Sequence, residues 1–114
     1  MKVIILEELQ GFIIKPSGRF EDGDCLELKE VLERGISSHK RLVLIDLKDL
    51  HNITAAGQRL LLSYAGQLET LHRLLALYQV NSSVLAAFED SGLAKVIYIA
   101  PSLHEARALA TMQR

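Results

Sequence analysis

The run from Leu42 to Leu47 constrains this chain more than any other stretch, because all of it except Asp46 is apolar. A half-exposed strand alternates apolar and polar residues. A continuous apolar strand suits a sheet covered on both faces, as in parallel α/β architecture. A short turn follows, and then apolar residues recur at helical spacing. Leu60, Leu61, Tyr64, Leu68 and Leu71 define the buried face of a helix running from Thr54 or Ala55 to about Leu71.

The flanking segments extend this pattern. Val3 to Leu6 is apolar and ends at Glu7 and Glu8. Gln10 and Gly11 can turn, and Phe12 to Lys15 resumes as a strand, which predicts a β-hairpin broken by Pro16, Ser17 and Gly18. Asp22 to Asp24 offers an N-cap for a helix to about Arg34, with Leu28, Val31 and Leu32 inward and Gly35 as its stop. Leu74 to Val80 is the next strand. Asn81, Ser82 or Ser83 caps a helix holding Val84, Leu85 and Phe88, which Gly92 ends. Lys95 to Ile99 is the last strand, with Tyr78 and Tyr98 expected to pack within their strands. Ser102 and Glu105 have capping-box spacing for a final helix with Leu103, Ala106, Leu109 and Ala110 on one side. The order is β-β-α-β-α-β-α-β-α. Alternation of strands and helices argues for a mostly parallel sheet, and the opening hairpin makes it mixed.

At 114 residues the chain is expected to be one domain, spanning 1–114. A formal net charge of −1 argues against an electrostatic nucleic-acid binder and against a polybasic membrane patch. No apolar run approaches the ~18 residues of a membrane span, and the acidic start does not read as a signal peptide. A soluble cytoplasmic protein is the expectation. Cys25 is the single cysteine, which rules out an intramolecular disulfide, and it reads as a small buried hydrophobe. His39, His51, His72 and His104 lack the spacing of zinc ligands and lie near element ends, with His51 close enough to the 53–57 turn to border a contact. No nucleophile–base set and no glycine-rich phosphate loop emerges, so no catalytic residue, metal or cofactor is expected.

The turn Ile53, Thr54, Ala55, Ala56, Gly57 resembles the signature of the STAS family, the anti-sigma-factor antagonists. In that family a hydrophobic strand ends in Asp-Leu, and an Asp-Ser-Ser-Gly or Ser-Ser-Ala-Gly motif opens a helix. Four other segments are similar to family features in the same order. These are Ser17 to Phe20, Leu42 to Leu47, Val84 to Leu93, and Ser102 to Ala106. The resemblance covers nearly the whole chain and implies a STAS-like α/β domain.

It also implies a function. Relatives are phosphorylated by a kinase on the first Ser after the motif's Asp, and the added charge breaks a protein–protein contact. That position is Ala55 here, and the preceding Asp is Thr54. Gly57 is kept, and glycine at a helix N-terminus permits close backbone approach. The resemblance therefore implies a non-enzymatic regulatory protein that sequesters an anti-sigma factor and is not controlled by phosphorylation at the usual position. The expected partner is a serine kinase of the histidine-kinase-like ATPase type, and a homodimer is left open. The partner-binding residues it implies are Gly18, Arg19, Phe20, Thr54, Ala55, Ala56, Gly57 and Gln58. Thr54 is read as an N-cap, with a shifted phosphorylation site as the alternative. The alternative function is a cytoplasmic accessory subunit of a lipid or anion transport system.

Overall fold

The computed structural model describes residues 1–112, with side chains through Leu109. Five strands, β1 (Lys2–Glu7), β2 (Gly11–Ser17), β3 (Leu42–Asp46), β4 (Leu74–Tyr78) and β5 (Tyr98–Ala100), lie side by side in chain order. β1 and β2 pair antiparallel, and every later neighbour is parallel. Four helices, α1 (Cys25–Ser37), α2 (Ala55–Thr70), α3 (Ser82–Ser91) and α4 (Leu103–Met112), complete the expected order.

The apolar runs do what their pattern requires. Leu42 to Ile45 and all of β4 are buried, because both sheet faces are covered. One face carries the larger core. Phe12, Ile14, Val43, Ile45, Leu75 and Leu77 meet Leu28, Val31 and Leu32 of α1, Leu61, Tyr64 and Leu68 of α2, and Val84 and Phe88 of α3. The other face carries a smaller one, where Ile13, Leu44, Ala76 and Tyr78 meet α4 through Ala106, Leu103 and Leu109. The Ala110 side chain, expected on that same face, lies outside the described residues.

Several boundaries differ from the sequence reading. Pro16 does not break β2 but sits inside it, opposite Val3. The ladder to β3 already ends at Ile14, so a missing N–H there forfeits no bond to β3. Gly35 does not stop α1, which passes through it to Ser37. A Cβ at Gly35 would lie 3.2 Å from Val43 and 3.3 Å from Phe12, so glycine lets the helix settle on the sheet. The turn out of α1 comes at His39, with φ of 60°. Arg73 closes that end: its guanidinium donates to the carbonyls of Lys40, Ile36 and Gly35 at 2.7, 3.0 and 3.0 Å. Leu71 caps the end of α2 and is half exposed rather than buried with Leu61, Tyr64 and Leu68 of the stripe. The fourth strand stops at Tyr78, since Gln79 turns to φ 53°. Leu93 to Lys95 form a 3-10 turn, which pushes β5 three residues later than expected. Tyr78 is buried as anticipated, but Tyr98 is 45 % exposed on this short edge strand. Cys25 is only half buried, at the start of α1.

Candidate functional site

The 53–57 turn lies where β3 hands over to α2, and its shape is held by bonds from three directions. Asp46 accepts from the Lys48 N–H at 3.0 Å and starts the loop. Leu47 and Leu50 turn their side chains into the core. Gly18, at φ 89°, then joins from the end of β2. Its N–H donates to the Asp49 carbonyl at 3.0 Å, and its own carbonyl accepts from His51 at 2.9 Å. Asn52 completes this seam. Its Oδ1 accepts from the Phe20 N–H at 3.0 Å, and its Nδ2 donates to the Phe20 carbonyl at 2.7 Å. The 18–20 turn and the 47–54 loop are thus one rigid piece.

Asn81 fastens that piece from the other side. Its Oδ1 caps α3 by accepting from Val84 at 3.1 Å, and its Nδ2 donates to the carbonyls of Leu47 at 3.0 Å and Leu50 at 2.6 Å. Thr54 caps α2, its Oγ1 accepting from the Gly57 N–H at 3.1 Å. Beneath the cap, Phe20 is 1 % exposed. A Cβ at Gly57 would lie 2.7 Å from the Phe20 ring and 2.9 Å from Ile53. Gly57 is therefore demanded by its own core, not by room for another backbone. Of the residues implied as partner contacts, Phe20 and Gly57 are buried and shape the surface from below.

What faces outward is a ridge. Ala55 is exposed, Ala56 and Gln58 are half exposed, and Arg59 is exposed one turn on. A groove of about 380 Å³ separates this ridge from the segment Ser91 to Val96, with Leu62 and Val96 on its walls. A second, of about 480 Å³, separates it from the start of α1, with Leu26 and Lys29 opposite Ala56. Leu26, Leu62 and Val96 are 67, 46 and 62 % exposed. The Ser91 hydroxyl donates to Gln58 Oε1 and ties α3 to the ridge. Tyr64, deeper in α2, donates its hydroxyl to Glu33 of α1. Burial, and then this bond, push the Tyr64 phenol up to about 12. Around Ala55 the arrangement can bind through small and aliphatic groups with Arg59 as its charged centre. Among the described residues no three His, Cys, Asp or Glu side chains gather as metal ligands would.

Sequence reasoning placed the turn and missed its supports. Asn52 and Asn81 bond to groups more than 30 positions away, and local spacing marks Asn81 only as a cap. Leu26, Leu62 and Val96 belong to three separate segments that only the fold assembles. The exposure of Leu62 next to buried Leu61 was the one signal available from helical spacing. His51 is exposed in the loop itself, and His39, His72 and His104 stand apart at other element ends.

The STAS domain model matches residues 4–106 of this chain. A Bordetella bronchiseptica protein, BtrV, provisionally named an anti-sigma factor antagonist, is 27 % identical over 106 residues, covering 92 % of this chain and 91 % of that protein. An anti-sigma factor antagonist from Mycobacterium paratuberculosis superposes with a TM-score of 0.86 at 14 % identity, over 96 % of this chain and 93 % of that one. The anti-sigma factor antagonist SpoIIAA in its unphosphorylated form gives 0.81 at 16 % identity, over 97 % of both chains. No helix among the described residues is long and apolar enough to cross a membrane.

Proposed function

Because the chain belongs to the STAS domain family, we propose that it is a regulatory binding protein of the anti-sigma-factor antagonist kind. It sequesters an anti-sigma factor through the ridge at the start of α2. The observation that carries this reading is the exposed Ala55 methyl on a rigid, capped turn between two apolar grooves. A surface pre-shaped by Asn52, Asn81 and Thr54 loses little conformational freedom on binding. The partner we propose is an anti-sigma factor that is also a serine kinase of the histidine-kinase-like ATPase type. Ala55 offers it no hydroxyl. Thr54 has one, but that oxygen is engaged in capping α2. The antagonist is then competent whenever it is present, and its role is binding rather than catalysis.

Calorimetry with the cognate kinase tests this. Wild type binds and takes up no phosphate when ATP is added. Ala55→Asp folds normally, since a negative charge in the first helical turn is favoured by about 0.3–1 kcal/mol. It binds at least about tenfold more weakly, because burying an unpaired carboxylate costs more than ~1.4 kcal/mol. Equal affinity for Ala55→Asp would remove the ridge as the interface. Phosphate on Thr54 would make the protein a phosphoswitch. Recovery of a transporter ATPase from the native host, with no kinase, would overturn the sigma-regulatory role.

A further inference from the structure

We propose that β1 is a self-pairing edge, through which two copies of this chain join antiparallel into one continuous sheet. β1 is bonded to β2 on one side and forms the border of the sheet on the other. The Glu8 N–H donates to the Gly11 carbonyl at 2.8 Å, which sets the phase of the hairpin ladder. With Leu6 opposite Ile13 and Ile4 opposite Lys15, the even positions bond to β2. Val3, Ile5 and Glu7 therefore direct their N–H and C=O groups outward. Edge strands are commonly guarded by proline, a bulge or inward-pointing charge. This one has an unbroken register, no proline and no glycine, and its middle is Val3 to Leu6.

The side chains add a reason for the pairing. Ile13 packs in the α4-side core, so its cross-strand neighbour Leu6 lies on that face, and Ile4 with it. α4 packs over β3, β4 and β5, and leaves Ile4 and Leu6 60 and 46 % exposed. A two-fold axis perpendicular to the sheet keeps each face continuous, so residues of like parity must oppose each other. Centred on Ile5, the pairing sets Ile4 against Leu6 of the second copy and Leu6 against Ile4. These are non-bonded positions, where side chains approach most closely. Val3, Ile5 and Glu7 supply the bonded ones. Lys2 then meets Glu8 of the second copy, opposite in charge, and joins the ion pair that Glu8 already makes with Arg107 of its own copy. Sliding the register by two residues either sets Lys2 against Leu6 or sets Ile4 against Glu8. On the α4 side, charge and apolar matching thus favour one register and one occupant, a second copy of the chain, with Val3 opposite Glu7 at the bonded positions of the other face.

Sedimentation equilibrium on the full chain tests the pairing. Wild type shifts with concentration towards twice 12.7 kDa. Leu6→Lys, a change at an exposed position, weakens association by at least tenfold while keeping the wild-type circular dichroism and unfolding midpoint. Lys2→Glu, which sets two carboxylates against each other at the seam, weakens it less. For the register, Ile4→Cys and Leu6→Cys are each made with Cys25→Ser and mixed under mild oxidation. The mixed pair cross-links in preference to either variant alone, because opposed non-bonded positions suit a disulfide and diagonal ones do not. A wild-type chain that stays monomeric at hundreds of micromolar overturns the proposal. So does a dimer indifferent to Leu6→Lys, and cross-linking without preference for the mixed pair.

Discussion

The two faces of the sheet are built to different standards. On the face that carries α1, α2 and α3, the loop before α2 is fastened by buried packing and by neutral side-chain bonds from Asn52 and Asn81. On the other face a single helix covers part of the sheet. Its ties to the β1–β2 hairpin are the packing against Ile13 and the exposed pair of Arg107 and Glu8. Arg107 beside Glu8 holds that carboxyl below its ordinary range, yet both groups stand in water, where such pairs contribute little. The difference teaches where rigidity is needed. A binding ridge must keep its shape when no partner is present, and buried bonds to backbone carbonyls keep it. The far face carries no such preformed ridge.

That contrast can be broken most directly at Phe20. Phe20→Ala removes the ring under the cap and should cost about 3–5 kcal/mol, read from urea unfolding. Gly57→Ala should cost about 1–3 kcal/mol by overpacking against the same ring. The penalty should shrink when Phe20→Leu is also present, since the two share one space. Asn81→Ala leaves the Leu47 and Leu50 carbonyls without their donor. It should cost about 1–3 kcal/mol and raise hydrogen exchange in residues 47–54. A cost no greater than that of Arg107→Ala would erase the contrast between the faces. Alkaline titration gives a gentler test. Tyr64 and Tyr78 are both raised to about 12, chiefly by burial, so the fold favours their neutral forms. Their contribution is whole below pH ~10, the unfolded value, and is lost as pH rises towards 12. Tyr64→Phe should flatten part of that loss in a denaturation series monitored at 295 nm. Arg107→Ala should change least, leaving the unfolding midpoint almost where it was.

The order of elements was legible because it rests on local periodicity. Leu42 to Ile45 could only be a doubly covered strand, and Leu61, Tyr64 and Leu68 could only be one helical stripe. Failures came where a residue answers to a distant neighbour. Gly35 reads as a stop until Val43 and Phe12 are seen to need the space. His39 ends α1 in a conformation usually left to glycine, so nothing in its spacing announced it. Leu71 continues the stripe by spacing, yet it caps the helix and is half exposed. At the candidate site, Ala55 and the Thr54 cap were readable from the motif. The grooves were not, because folding alone brings Val96 opposite Leu62 and Leu26 opposite Ala56.

Strand order has a consequence in time. Each strand lies beside the one made just before it, so a chain emerging from its N-terminus can extend the sheet in one direction only. The hairpin of β1 and β2 can close before any later element of this domain exists. From then until α1 and β3 arrive, Phe12 and Ile14 have nothing to cover them, and the growing border passes from β2 to β3 to β4 and finally to the three residues of β5. One border of the sheet moves as the domain is made, while the other, β1, is set as soon as the hairpin closes.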